Sequence, residues 1–183
     1  MVGKSSPLDE NRPERPPKNT GEKMKKQPHI RPSWDDYFMQ IVHALSERAT
    51  CDRGRTACVI VRDHQIICSG YVGSLPGMPH CDDVGHLLRT VTQEDGTQTT
   101  HCMRTIHAEQ NAICQAARRG ISIEGATLYC KLAPCRTCAM LLISCGIQRI
   151  VAEYPYQSGS EAEALLRAAG VRIEYTHQEA LRY

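Results

Sequence analysis

The sequence predicts an α/β sandwich, and three observations carry that prediction. Four segments repeat apolar residues at helical spacing, and in the second half of the chain they alternate with short β-type runs, the pattern of parallel strands joined by crossover helices. Glycines stand where three of those helical segments must stop, at Gly120, Gly146 and Gly170. The chain has 183 residues and is 41% hydrophobic, enough to bury the core of one domain with an appendage.

Ordered structure is expected over 33–183. Residues 1–32 are rich in proline and charge and almost lack large apolar side chains, so burial cannot offset their ordering entropy and disorder is expected. Met24, before Lys25 and Lys26, is an alternative start. Residues 1–31 hold eight Lys/Arg and four Asp/Glu, so they carry +4 of a net +2 and the remainder −2. A solvated tail explains this better than a nucleic-acid arm.

Ser33, after Pro32, is an N-cap. Trp34, Tyr37, Phe38, Ile41, Val42 and Leu45 then predict a helix with one buried stripe. Runs at 57–62 and 65–72, parted by Asp63-His64, read as a hairpin. Residues 73–104, rich in Gly, Pro, His, Asp and Thr, read as a long irregular stretch. Loops of that length inside compact domains are usually functional or metal-bound. A helix over 108–119, a strand over 126–132, a helix over 135–145 and a strand over 148–153 follow. Ser160, with Glu163 three residues on, starts a helix in capping-box fashion, and the last strand is 171–175.

Ten cysteines, with neither a signal peptide nor a membrane-spanning apolar run, predict a soluble cytoplasmic protein with reduced thiols. Cys58, Cys68, Cys114, Cys130 and Cys145 lie in apolar runs and read as small core residues. His107-Ala108-Glu109 and Pro134-Cys135-Arg136-Thr137-Cys138 carry the chemistry. A catalytic zinc takes three protein ligands and leaves one position for water. Cys135 and Cys138, three apart at a helix start, present both sulfurs on one face, where the helix dipole favours thiolate. His107 opens the preceding helix and can approach the same point. Glu109 is then placed to take a proton from the water. The pair of motifs matches the H-x-E and P-C-x-x-C signature of zinc nucleobase deaminases. Either motif alone could mark a redox pair or a structural zinc site.

From Trp34 to about Tyr175 the chain resembles the cytidine and deoxycytidylate deaminase superfamily, especially the bacterial dCMP deaminases related to late-competence proteins. The resemblance rests on the run from His101 to Ile113, Gly125-Ala126-Thr127-Leu128-Tyr129, the Pro-Cys-x-x-Cys-Ala run through Ala139, and Cys145-Gly146-Ile147. The short gap between Cys135 and Cys138 separates it from the riboflavin-pathway deaminases. The resemblance implies a three-layer α/β/α sandwich of cytidine deaminase type with a five-stranded mixed sheet, hydrolysis of dCMP to dUMP and ammonia, and a homo-oligomer, often a hexamer. It also implies that the Ala108 N–H and the Ala133 carbonyl touch the base, and that Arg53 and Tyr156 hold the 5′-phosphate.

The resemblance further implies a second, structural zinc on Cys51, Cys81 and His101, with Cys102 as fourth ligand and His80 and His86 as competitors for that place. Such an ion would pin the 73–104 stretch. Two departures bear on substrate. Val72 stands where the family has an asparagine that bonds the sugar and serves nucleotide regulation, which puts sugar recognition and dCTP/dTTP control in question. Thr56-Ala57-Cys58 replaces Val-Gly-Ala. The alternatives are a deaminase of another cytosine nucleoside or nucleotide or of a modified nucleotide, a tRNA adenosine deaminase, and a non-catalytic binding protein. The ordered domain lacks a basic, aromatic-rich face, which speaks against nucleic acid.

Overall fold

The computed structural model describes residues 29–92, 96, 98–156 and 159–179. The chain divides into Met1–Arg31 and Pro32–Tyr183. The expectations for 1–32 fall almost wholly outside the described residues, and every helix and strand named below belongs to the second unit.

Helix α1 (Trp34–Ser46) starts at Ser33, whose Oγ accepts from the Asp36 N–H at 3.1 Å. Strands β1 (Ala57–Arg62) and β2 (Gln65–Tyr71) form the expected hairpin, with Asp63 and His64 both at positive φ in its two-residue turn. After β3 (Gly73–Ser74) come α2 (Cys81–Val84), β4 (Leu88–Thr92), β5 (Gln98–Cys102) and β6 (Thr105–Ile106). The remainder alternates as α3 (Ala108–Arg119), β7 (Thr127–Leu132), α4 (Arg136–Ser144), β8 (Arg149–Tyr154), α5 (Ser160–Ala168) and β9 (Arg172–Tyr175).

The main sheet has the order β2-β1-β7-β8-β9. β1 runs antiparallel to β2 and β7, whereas β7, β8 and β9 are parallel, because α4 and α5 carry the chain back across the sheet. Strand alternation splits β1 between two cores. Ala57, Val59 and Val61 meet Phe38 and Val42 of α1, while Cys58 and Ile60 join Ala112, Leu142 and Leu166 from α3, α4 and α5. The result is three layers, as expected.

Four expectations need correction. Residues 73–104 are not irregular throughout: β4 and β5 pair as a separate hairpin and β3 pairs with β6. Their polar, threonine-rich composition hid strands that face solvent on both sides. Trp34 and Tyr37 are 52% and 44% exposed rather than part of a buried stripe. Trp34 lies over the hairpin turn, stacked on His64 at 4.3 Å between ring centroids, and the stripe is completed by Met39. Cys114 is exposed, since its helix buries Ala112 and Ala116 instead. Gly159, not Ser160, caps α5, and Glu163 accepts instead from the Tyr175 hydroxyl at 2.6 Å.

One ionic cluster joins α1 to the parallel half of the sheet. Arg149 donates to both carboxylate oxygens of Asp35 at 2.8 and 2.7 Å and reaches Glu174 at 3.2 and 2.6 Å, while the Tyr129 hydroxyl donates to Asp35 at 2.7 Å. The guanidinium holds both carboxyls below their usual range.

Candidate active site

The site forms where α3 and α4 begin. β2 packs closely under α3: a Cβ on Gly70 would strike the Ala108 carbonyl and the Ala112 backbone nitrogen. The Asn111 amide donates to the Tyr71 carbonyl at 3.0 Å, locking the same contact. His107 is the N-cap of α3, with its N–H bonded to Gln110 Oε1 at 3.1 Å. Cys135 is the N-cap of α4, directly beyond the end of β7, and Cys138 lies in the first turn. Two positive helix ends therefore meet at the three donors.

His107 Nδ1 lies 3.5 Å from Cys135 Sγ and 3.4 Å from Cys138 Sγ. All three ligand atoms fall within 4.8 Å of one another. With Zn–S about 2.3 Å and Zn–N about 2.0 Å, an ideal tetrahedron separates sulfur from nitrogen by about 3.5 Å, so the donors fit zinc with one position left over. Their proton affinities are mutually tuned. The Cys138 thiol and the His107 imidazolium draw Cys135 down to about 4, and Cys135 in turn raises His107 to about 9. Cys138, which donates to Cys135 and is itself buried, is pushed up.

Glu109, in the first turn of α3, is 7% exposed, and burial raises its carboxyl above the usual range despite the nearby His107. It lines a cavity of about 80 Å³ together with His107, Cys135, Thr56, Val72, Leu132, Ala133, Arg53 and Tyr156. Among the described lining residues it is the one carboxylate. The expected residues Ala133, Arg53 and Tyr156 are thus gathered here, whereas Ala108 is buried at the start of α3 and does not line the cavity. A larger groove of about 560 Å³ runs along β2 and α3 and is lined by neither Glu109 nor any of His107, Cys135 and Cys138.

A second group of donors comprises Cys51, Cys81, His86 and Cys102, again within 4.8 Å of one another. Cys51 Sγ lies 3.6 Å from His86 Nδ1, and Cys81 Sγ lies 3.5 Å from Cys102 Sγ. These spacings also suit the edges of a zinc tetrahedron, about 3.5–3.8 Å. Burial, backed by its sulfur neighbours, raises Cys81 to about 12. Burial opposes ionisation of Cys102, but backbone N–H groups of Arg104 and Leu87 bring it down to about 6. His86 Nε2 contacts Asp52 Oδ1 at 3.0 Å, the carboxylate partner that orients a ligating imidazole.

His86, not His101, completes this group, which corrects the expected ligand set; His80 is also outside it and caps α2. His101 instead has Nε2 2.8 Å from Thr99 Oγ1, and it lines a cavity shared with Cys51 and Cys102. His86, one of the two competing histidines in the sequence reading, follows Cys81 by five residues, and Asp52 adjoins Cys51.

Arg53, two residues after Cys51, donates to the Thr100 carbonyl at 2.9 Å and so ties the loop before β1 to β5. Thr56, the first residue of the Thr56-Ala57-Cys58 departure, lines the cavity, and Leu132 is the lining residue that the motifs did not single out. Among the described residues no helix is long and apolar enough to cross a membrane.

Comparison with known proteins agrees with this geometry. Residues 32–154 match the family model of the cytidine and deoxycytidylate deaminase zinc-binding region. The chain is 39% identical over 142 residues to ComE operon protein 2 of Bacillus subtilis, covering 78% of this chain and 70% of that one. It is 35% identical over 144 residues to the deoxycytidylate deaminase of Schizosaccharomyces pombe, covering 79% of this chain but only 44% of the yeast protein. Its fold resembles the crystal structure of dCMP deaminase from the cyanophage S-TIM5 in complex with dCMP and dUMP, with a TM-score of 0.65, 24% identity, 81% of this chain and all of that one.

Proposed function

The chain belongs to the cytidine and deoxycytidylate deaminase family, and on that premise we propose that it hydrolyses dCMP to dUMP and ammonia. The observation that carries the reading is the shared cavity, in which one buried carboxylate, Glu109, lines the same space as the donors His107 and Cys135 and as Arg53 and Tyr156. A zinc ion on His107, Cys135 and Cys138 would supply the Lewis acidity that makes a water nucleophilic near neutral pH.

Glu109 accepts one proton from the attacking water as the C4–O bond forms and passes it to ring N3. It then takes the remaining proton from the new C4 hydroxyl and delivers it to the exocyclic nitrogen, which leaves as ammonia with the electron pair of the breaking C4–N bond while the C4 carbonyl forms. Burial suits Glu109 to both directions of transfer, because a carboxyl raised toward neutral pH holds and releases a proton readily. Ala133, at the end of β7, offers backbone to the base, and Arg53 with Tyr156 is the phosphate side.

Cys51, Cys81, His86 and Cys102 are read as the ligands of a second, structural zinc, supported by four mutually close donors and by the Asp52 partner of His86. The homo-oligomer implied by the resemblance is supported by Met140 and Leu141, which α4 exposes.

Val72 favours a second reading. Val72 and Leu132 are apolar residues of the cavity lining, and Val72 offers the sugar no hydrogen bond, which suits a cytosine nucleotide with an altered sugar or base. Ammonia release from dCMP, CMP, deoxycytidine and 5-substituted dCMP, each with and without dCTP, tests both readings. The first expects dCMP to have the highest kcat/KM and weak dependence on dCTP. A modified nucleotide well ahead of dCMP would install the second, and no release from any of them would refute deamination.

A further inference from the structure

His101 fails as a ligand of the second metal group yet occupies a defined place. It lines a cavity of about 80 Å³ that adjoins the catalytic one, sharing Arg53, Val72, His107 and Tyr156 with it. Arg53 and His101 enter this cavity from two different segments, the loop before β1 and strand β5, joined by the hydrogen bond from Arg53 to the Thr100 carbonyl at 2.9 Å. The His101 ring has one nitrogen committed, with Nε2 2.8 Å from Thr99 Oγ1. Its Nδ1 has no hydrogen-bond partner among the described residues.

The two segments share a second property. Arg53 is two residues from Cys51 and His101 is adjacent to Cys102, both in the second donor group. Cys51 and Cys102 line the same cavity together with His107, so the two donor groups adjoin where His101 stands beside Arg53 and Tyr156.

We infer that His101 is a third member of the subsite for the substrate's 5′-phosphate and donates an N–H to a phosphate oxygen. This rests on the reading of the substrate as a nucleotide. Arg53 supplies the fixed charge and His101 a directional donor, and the second donor group, which includes Cys51 and Cys102, anchors the two segments that carry them.

The test is direct binding of the product, which avoids any dependence on turnover. Calorimetric titration of the zinc-loaded protein with dUMP and with deoxyuridine is carried out on the wild type, His101→Ala and His101→Gln, alongside zinc content per chain. Loss of one hydrogen bond to a charged group predicts a rise in the dUMP dissociation constant on the order of tenfold to a hundredfold in His101→Ala. Deoxyuridine affinity and zinc content should stay as in the wild type, and His101→Gln, which keeps an N–H donor, should recover part of the dUMP affinity.

Loss of a zinc ion from His101→Ala would make His101 a ligand and overturn the inference. Unchanged dUMP affinity, or an equal loss for dUMP and deoxyuridine, would overturn it as well. If the wild type itself binds dUMP no better than deoxyuridine, the nucleotide reading fails, an outcome distinct from the failure of His101 alone.

Discussion

Replacing Glu109 by glutamine changes one atom in the cavity and removes its one carboxylate among the described lining residues. The proposed chemistry asks this side chain for two proton transfers, from water to N3 and then to the departing amine. A single positioned acid–base is worth about 10²–10⁴-fold, so a residue serving two steps should cost about 10⁴-fold or more in kcat, roughly 5 kcal/mol of barrier. Glu109 is not one of the three clustered donors, so zinc content should remain that of the wild type. The fold should not suffer either. Burial raises the Glu109 carboxyl, which means its ionised form is disfavoured in the folded chain, and an amide of the same shape removes that charge. The expected signature is a dead enzyme with full metal content and a melting temperature equal to or above that of the wild type. Turnover by ammonia release, zinc by mass spectrometry and thermal unfolding read the three quantities. A Glu109→Gln enzyme within tenfold of wild-type kcat would refute the acid–base assignment. Loss of zinc would show instead that Glu109 helps to hold the metal.

Two further perturbations address the frame. His86→Ala should lower zinc content by one ion per chain and lower the melting temperature, because a structural ion contributes directly to folding free energy; full zinc retention would return the ligand role to another residue. Arg149→Met should destabilise by about 1–3 kcal/mol, less than the roughly 3–5 of a fully buried pair, because Asp35 and Glu174 are 39% and 42% exposed at their side chains. Both carboxyls lie below their usual range in the folded chain, so the stability they lend is present above the unfolded carboxylate values and lost as pH falls through the folded ones. The melting-temperature gap between wild type and Arg149→Met should therefore close below about pH 4, and a gap that persists there would assign the loss to packing.

Much of the site was legible in the linear chain because local geometry decided it. A histidine two residues before a glutamate at one helix start, and two cysteines three apart at another, prescribe their own relative directions. Once an α/β order brings two helix N-termini to one end of a sheet, His107, Cys135 and Cys138 must converge. The hairpin at 57–71 and the alternation of α3, β7, α4, β8, α5 and β9 follow equally from patterns a few residues long.

Other features depended on contacts that no short pattern encodes. That His86 rather than His101 lies with Cys51, Cys81 and Cys102 depends on contacts between distant segments, and β4 and β5 gave little signal because neither buries an apolar face. Trp34 looked like core by spacing, but it stays half exposed and stacks at the surface on His64 of the hairpin turn, 30 residues away in sequence. Arg149 is an ordinary strand arginine until α1 and β9 bring Asp35 and Glu174, 114 and 25 residues distant, to its two faces. Side-chain chemistry at fixed helical spacing was written into the chain, whereas the partner of a strand residue is set by pairing register and by the layer that folds across it, which only the tertiary structure decides.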